Sequence, residues 1–189
     1  MTGSAEQGAS RMARPSHRGR NAIIFACIVV AWLLLDQVTK AYFNAFEVGG
    51  SAGALMPGVI EFTLVRNTGA AWGAFNEMTI FLAVLSIIIC VVVFLYLFVL
   101  EPGSSVLIAV ALSMIFAGGL GNLIDRLMNG YVIDFLEFGF FDFPVFNIAD
   151  IGVTCGVALF FIGYFIQWWK LEREARVGNH GERTGSDDS

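Results

Sequence analysis

Four long apolar segments constrain this chain more than any other feature of its sequence. They cover residues 22–43, 78–100, 106–124 and 151–169. A helix needs about 20 mostly apolar residues to cross the hydrocarbon core of a bilayer, and these segments have that length. Hydrophobic residues make up 57% of the 189 residues and charged residues only 14%, which is outside the range of soluble domains. We therefore predict an all-α membrane protein with four transmembrane helices.

Polar tails flank a single membrane domain, which we place at residues 22–170. The tail over residues 1–21 is rich in Gly, Ser and Arg, and the tail over residues 171–189 is charged. We expect both tails to be largely disordered, since neither has an apolar periodicity. Most of the 11 Lys and Arg residues lie in or beside the tails. The positive-inside bias therefore predicts that both termini are cytoplasmic.

The connection between the first two segments carries signals for β-strands. Pro57 and Gly58 predict a turn, and apolar residues then alternate with others over residues 59–64 until Asn67 breaks the pattern. We expect a small, curved β-sheet cradle on the extracytoplasmic face, joined by a strand over residues 131–138.

The positions of the histidines and cysteines exclude several kinds of site. His17 and His180 lie in the tails, so no histidine is near the membrane for a zinc site or a Ser-His base. Cys27, Cys90 and Cys155 lie in apolar segments, where cysteine packs as a small hydrophobic residue. The sequence has no basic stripe for nucleic acid. We predict no disulfide, no metal and no cofactor.

Asp125 and Asp150 are the first candidates for chemistry. Asp125 directly follows the third apolar segment and Asp150 directly precedes the fourth, so the connection between them can return both carboxyl groups to one membrane depth. Two neighbouring carboxyl groups share one proton more easily than they both ionise. The ionised member can then activate water against an amide while the protonated member polarises the carbonyl. We predict this pair to be catalytic.

Two asparagines support the prediction. Asn122 and Asn147 each precede one of the aspartates by three residues, so in a helix each amide lies on the face of its aspartate and can orient it. Asn147 can also cap the fourth helix. The helix dipoles predict that Asp150 is ionised and Asp125 protonated, although Arg126 could reverse this order.

Alternatives remain open at this point. Both aspartates could be helix-end residues at a wet interface. Asp36 and Lys40, spaced i, i+4, could form an ion pair or line the site. Residues 66–73 could form only a turn, or their small side chains could admit a peptide backbone.

The same residues also suit other functions. Paired aspartates in a helix bundle occur in proton-conducting transporters. A Ser/Lys membrane peptidase would need Lys40 as its base. A non-enzymatic assembly protein would need neither aspartate.

Five motifs, in order along the chain, resemble those of bacterial lipoprotein signal peptidase, also called signal peptidase II. They occupy residues 35–40, 67–73, 118–126, 132–135 and 146–150, and the resemblance extends over roughly residues 22–169. Trp72 stands where the family more often has Phe, and the arginine-rich N-terminal tail is long.

The resemblance implies an aspartic endopeptidase of the cytoplasmic membrane with its active site on the extracytoplasmic side. Such enzymes cut prolipoproteins just before a diacylglyceryl-modified cysteine. The implied partners are this lipid-modified prolipoprotein and membrane lipids, and we expect a monomer. The motifs carry the catalytic role to Asp125 and Asp150. They carry supporting or substrate-binding roles to Asn122, Asn147, Asp36, Lys40, Asn67, Arg126 and Asp134.

Overall fold

Four helices form the body of the molecule. The computed structural model describes residues 17–69 and 78–184, and the side chains among them as far as residue 173. The helices are α1 (Arg18–Phe43), α2 (Thr79–Leu95, continued by a π-helical turn over Tyr96–Leu100), α3 (Val106–Asn129) and α4 (Ile148–Thr184). All four are long and apolar enough to cross a membrane, which confirms the predicted number of spans.

The helices extend beyond the apolar segments that predicted them. α1 begins at Arg18, within the predicted tail, because Arg20 and Asn21 donate to the carbonyl oxygen of Ser104 and so have partners at this depth. α4 continues to Thr184, past the predicted boundary at residue 170, where residues 171–176 are mostly strong helix formers. The part of the N-terminal tail over residues 1–16 lies outside the described residues.

The end of α3 differs from the prediction in a way that matters for the site. The helix does not stop at residue 124 but continues to Asn129. Gly130 ends it with a φ of 79°, in the left-handed region that glycine adopts readily, and its N–H donates to the carbonyl of Arg126. Asp125 therefore lies inside the helix, not at its end.

A three-stranded antiparallel sheet covers one end of the bundle. Its strands are β1 (Ser51–Met56), β2 (Ile60–Asn67) and β3 (Val132–Phe138), in the order β1-β2-β3. The alternating pattern predicted β2 and the later segment predicted β3. β1 was not predicted separately because its sequence, SAGALM, lacks apolar alternation.

An aromatic cluster fixes the sheet to the helices. Phe43, at the end of α1, stacks on Phe135 of β3 with ring centroids 4.3 Å apart, and both rings are buried beside Leu64. The opposite end of the bundle holds the start of α1, the turn between α2 and α3, and the part of α4 near Lys170.

Small residues allow α3 and α4 to approach closely. A Cβ atom on Gly118 would collide with the carbonyl oxygen of Ala149. A Cβ on Gly156 would lie 2.7 Å from the carbonyl oxygen of Ala111 and 2.8 Å from Cγ1 of Ile115. No side chain fits at either position without moving a helix.

Gly156→Ala is therefore expected to destabilise the folded protein by about 1–3 kcal/mol, the usual penalty for overpacking a core. The free energy of unfolding in detergent measures this loss. Gly19→Ala is the matched control, since a Cβ at Gly19 of α1 has no neighbour within 4 Å. Equal stability of the two variants would contradict the packing described here.

Candidate active site

A cavity of about 480 Å³ opens between the sheet and the adjoining ends of α3 and α4. One side is polar and the other is apolar. The polar lining includes Asn67, Asn122, Arg126, Asp134 and Asp150. The apolar lining includes Val132, Phe138, Phe143, Phe146 and Ile151.

Asp134 enters this cavity from β3. Its side chain is buried, and the amide nitrogens of Asn67 and Asn147 donate to its two oxygens at 2.8 and 2.6 Å. Burial, reinforced by the nearby charge of Asp150, raises the pKa of Asp134 from 3.8 to about 7. Asp134 can therefore hold a proton near neutral pH.

Asp150 enters the cavity from the first turn of α4. The amide nitrogen of Asn122 donates to one of its oxygens at 2.8 Å, and the backbone N–H of Asn147 donates to the other at 3.1 Å. The N–H of Asp150 donates in return to the Asn147 side chain at 3.0 Å, which confirms the predicted cap. The positive end of the helix dipole favours a carboxylate at this position.

The two asparagines hold different aspartates from those expected. Asn122 was predicted to orient Asp125 but donates to Asp150, and Asn147 donates its amide N–H to Asp134. The amide of Asn147 also donates to the side-chain oxygen of Asn122 at 3.0 Å. The asparagines thus link the two carboxyl groups of the cavity.

Asp125 lies apart from this pair. It is 2% exposed and is absent from the lining of the cavity. Lys40 Nζ and the backbone N–H of Ile133 lie 3.0 and 3.1 Å from its Oδ2, and Gln37 donates to its Oδ1. These donors, from α1 and β3, hold the Asp125 carboxyl group in place. The structure does not bring Asp125 into the cavity with Asp150, because α3 continues beyond it and turns its side chain toward α1.

Lys40 forms the centre of a buried polar network. Its Nζ lies 2.9 Å from Asp36, 3.0 Å from Asp125 and 2.8 Å from the side-chain oxygen of Asn122. The i, i+4 ion pair is therefore present. Asp36 also accepts from the backbone N–H of Ala149 at 2.9 Å, so the network joins α1, α3 and α4. Lys40 is 1% exposed and does not line the cavity, which makes it unsuitable as the base of a Ser/Lys peptidase.

The protein resembles known proteins along most of its length. A family model described as signal peptidase (SPase) II matches residues 28–166. A lipoprotein signal peptidase of Enterococcus faecalis is 36% identical over 162 residues, covering 85% of this chain and 99% of the relative. One of Staphylococcus carnosus is 41% identical over 138 residues, covering 71% of this chain and 86% of the relative. The chain belongs to the signal peptidase II family.

Two solved structures, both described as bacterial membrane enzymes, share the fold. One superposes with a TM-score of 0.67 at 34% identity and covers 78% of this chain and 88% of its own. The other has a TM-score of 0.64 at 35% identity and covers 77% of this chain and 92% of its own. The signal peptidase II match includes every residue that lines the cavity, and membership of that family makes this chain a multi-pass membrane peptidase.

Arg126 completes the polar lining of this signal peptidase II cavity. Its terminal nitrogens donate to the carbonyl oxygens of Gly69 and Asn122 at 3.3 and 3.4 Å. Its Nε is buried, and no described group accepts a hydrogen bond from it. Residues 70–73 of the predicted small-residue motif lie outside the described residues.

Asp134 is the site residue that sequence reasoning undervalued. It was given only a supporting or substrate-binding role, and Gln37, within the motif over residues 35–40, was given no role. The available signal was an aspartate in the apolar strand sequence VIDFL, because a carboxyl group on a buried strand needs partners or a function. Among the described residues, no group of His, Cys, Asp and Glu side chains has an arrangement that would hold a metal ion.

Proposed function

We propose that this protein removes signal peptides from prolipoproteins by cutting before a diacylglyceryl-modified cysteine, with Asp134 and Asp150 as the acid–base pair. One observation carries the proposal: both carboxyl groups line the same cavity. The pKa of Asp134, which is about 7 beside the charge of Asp150, supports it. This assignment replaces the pairing of Asp125 with Asp150 that the sequence suggested.

The geometry supports a division of roles within the pair. Asp150, at the positive end of α4 and held by Asn122, acts as the ionised base and takes a proton from water. The resulting hydroxide attacks the peptide carbonyl, while protonated Asp134 donates its proton to the carbonyl oxygen. Collapse of the tetrahedral intermediate passes a proton from Asp150 to the leaving nitrogen and breaks the C–N bond. Asp134 regains its proton from the hydroxyl group of the intermediate.

The other polar residues position the pair or the substrate. Asn67 and Asn147 orient Asp134. Arg126, which lines the cavity, can donate to a backbone carbonyl of the bound peptide. The buried network of Lys40, Asp36 and Asp125 acts at a distance. It fixes the side chain of Asn122, and this side chain orients Asp150.

The apolar lining suits a substrate that stays in the lipid. A signal peptide is an apolar helix and a diacylglyceryl group is anchored in the membrane, so the scissile bond lies near the membrane surface. The cavity lies where α3 and α4 meet the sheet, with phenylalanines on its apolar side. We place it on the extracytoplasmic side, with both tails cytoplasmic, and expect the protein to act as a monomer.

Cleavage of a purified prolipoprotein tests this function. The diacylglyceryl-modified precursor is incubated with the protein in detergent, and mass spectrometry of the products locates the cut. We expect a single cut before the modified cysteine and little turnover of the unmodified precursor. Absence of cleavage, or equal cleavage of the unmodified precursor, would refute the proposal.

The pKa of Asp134 predicts the alkaline limb of the pH profile. Asp134 works as the protonated member, so kcat/KM should fall about tenfold per pH unit above a pKa near 7. Asn67→Ala removes a hydrogen bond that lowers this pKa, and the limb should move to higher pH by about half to one unit. Asn129→Ala, which changes an exposed asparagine on α3, is the control. An alkaline limb that stays in place in Asn67→Ala would contradict the assignment.

A further inference from the structure

A second cavity, of about 460 Å³, lies at the end of the bundle opposite the sheet. Three elements line it: the start of α1, the turn into α3 with its first residues, and α4 near Lys170. Neither Asp134 nor Asp150 lines it, so the proposed peptidase activity does not explain it.

The polar lining of this cavity is cationic. Arg20 and Lys170 contribute positive charges, His17 and Gln167 contribute further polar groups, and the lining residues that the structure describes include no Asp or Glu. Glu101 and Glu172 are each two residues in sequence from a lining residue, Gly103 and Lys170, but do not line the cavity themselves. In the described part of the chain, neither Arg20 nor Lys170 forms an ion pair with a carboxylate. The charges at this site are thus available to an anion.

Hydrogen bonds within the protein hold the guanidinium of Arg20 in place. It donates to the carbonyl oxygen of Ser104 at 2.9 Å and to the side-chain oxygen of Asn21, and Asn21, fully buried, donates to the same Ser104 carbonyl. Neutral acceptors orient the guanidinium and leave its charge uncompensated. The first turn of α3 adds backbone N–H groups, since Ser105, Val106 and Leu107 also line the cavity.

The remaining lining is apolar and continues onto the outer surface of the bundle. Val106 and Ile166 line the cavity and are 46% and 44% exposed, and Ile162 lies one turn from Ile166 on α4 and is 51% exposed. Trp169, next to Lys170, is also exposed, as expected of an aromatic residue at a membrane interface. A cationic recess that opens onto a lipid-facing apolar surface suits a molecule with an anionic head and acyl chains.

We propose that this cavity binds the phosphate headgroup of an anionic glycerophospholipid. Lys170 and Arg20 contact the phosphate, and the acyl chains lie along the apolar surface formed by Val106, Ile162 and Ile166. A free phosphate ion would use the same charges but not this surface, so the apolar continuation favours a lipid as the occupant.

Native mass spectrometry of the full chain in detergent tests the site, with phosphatidylglycerol and phosphatidylcholine as probes. We expect preferential retention of phosphatidylglycerol, with an affinity about fivefold lower in Lys170→Gln, because one cation near a membrane surface contributes about that factor. Arg173→Gln removes an exposed cation one helical turn away, outside this cavity, and should change the affinity less than twofold. Arg20 donates to the turn between α2 and α3, whereas no described residue forms an ion pair with Lys170, so Lys170→Gln is the safer variant.

Three results would overturn the proposal. Phosphatidylcholine could be retained as strongly as phosphatidylglycerol. Lys170→Gln and Arg173→Gln could weaken binding equally, which would indicate general attraction to charge. Millimolar inorganic phosphate could raise the melting temperature as much as phosphatidylglycerol does, which would indicate a site for free phosphate. Because the readout is binding, the outcome is independent of peptide cleavage.

Discussion

Asp134→Asn and Asp150→Asn should each lower kcat/KM for prolipoprotein cleavage by at least about 10³-fold, within the range for loss of acid–base catalysis. An asparagine at position 134 cannot donate the proton that the carbonyl needs, and one at position 150 cannot accept a proton from water. Both substitutions keep the size of the side chain. The helices should therefore remain packed, and the loss should appear in kcat, not only in KM.

Glu137→Gln is the matched control for these two variants. Glu137 also lies on β3, but its carboxyl group does not line the cavity. We expect its activity to stay within about twofold of wild type, because Glu137 is half-buried and its side chain does not line the cavity. Single-turnover cleavage with folded protein measures all three rates. Substantial turnover by either aspartate variant would contradict the proposed pair.

Lys40→Met should destabilise the protein by about 3–5 kcal/mol, the range for removing one partner of a buried ion pair. Asp36 and Asp125, 0% and 2% exposed, would lose the only cation within ion-pair distance of them in the described structure. Asn122 would lose a donor as well. Activity should fall too, since Asn122 orients Asp150.

The free energy of unfolding in a zwitterionic detergent measures this effect. Lys170→Met is the control because Lys170 is the other lysine of the chain and is exposed, and we expect it to change stability by less than about 0.5 kcal/mol. Adding Asp36→Asn and Asp125→Asn to Lys40→Met should recover part of the loss by removing the uncompensated charges. A single Lys40→Met variant as stable as wild type would show that the network is not what joins these helices.

The helices and two of the strands could be predicted because their signals are local. An apolar segment of membrane length or an alternating strand carries its own pattern, as residues 78–100 and β2 do. The ends of α1 and α4 were less predictable. Residues Arg20 and Asn21 look like a polar tail until the turn at Ser104 provides acceptors for them.

The pairing of the aspartates depends on contacts between distant parts of the chain. Asp125 and Asp150 look equivalent in sequence, since each lies at the edge of an apolar segment. The approach of α1 presents Lys40 to Asp125, and the pairing of β2 with β3 brings Asn67 beside Asp134. Sequence spacing identified the right group of polar residues but could not show which carboxyl groups face the cavity.

The most direct test compares the cleavage rates of Asp134→Asn and Asp125→Asn with a diacylglyceryl-modified prolipoprotein in liposomes, each normalised to folded enzyme. We predict that Asp134→Asn shows no turnover above background. Asp125→Asn, in which the substituted side chain lies outside the cavity, should keep activity within about tenfold of wild type. If the Asp125→Asn variant is inactive and the Asp134→Asn variant is active, the reacting pair is instead Asp125 and Asp150.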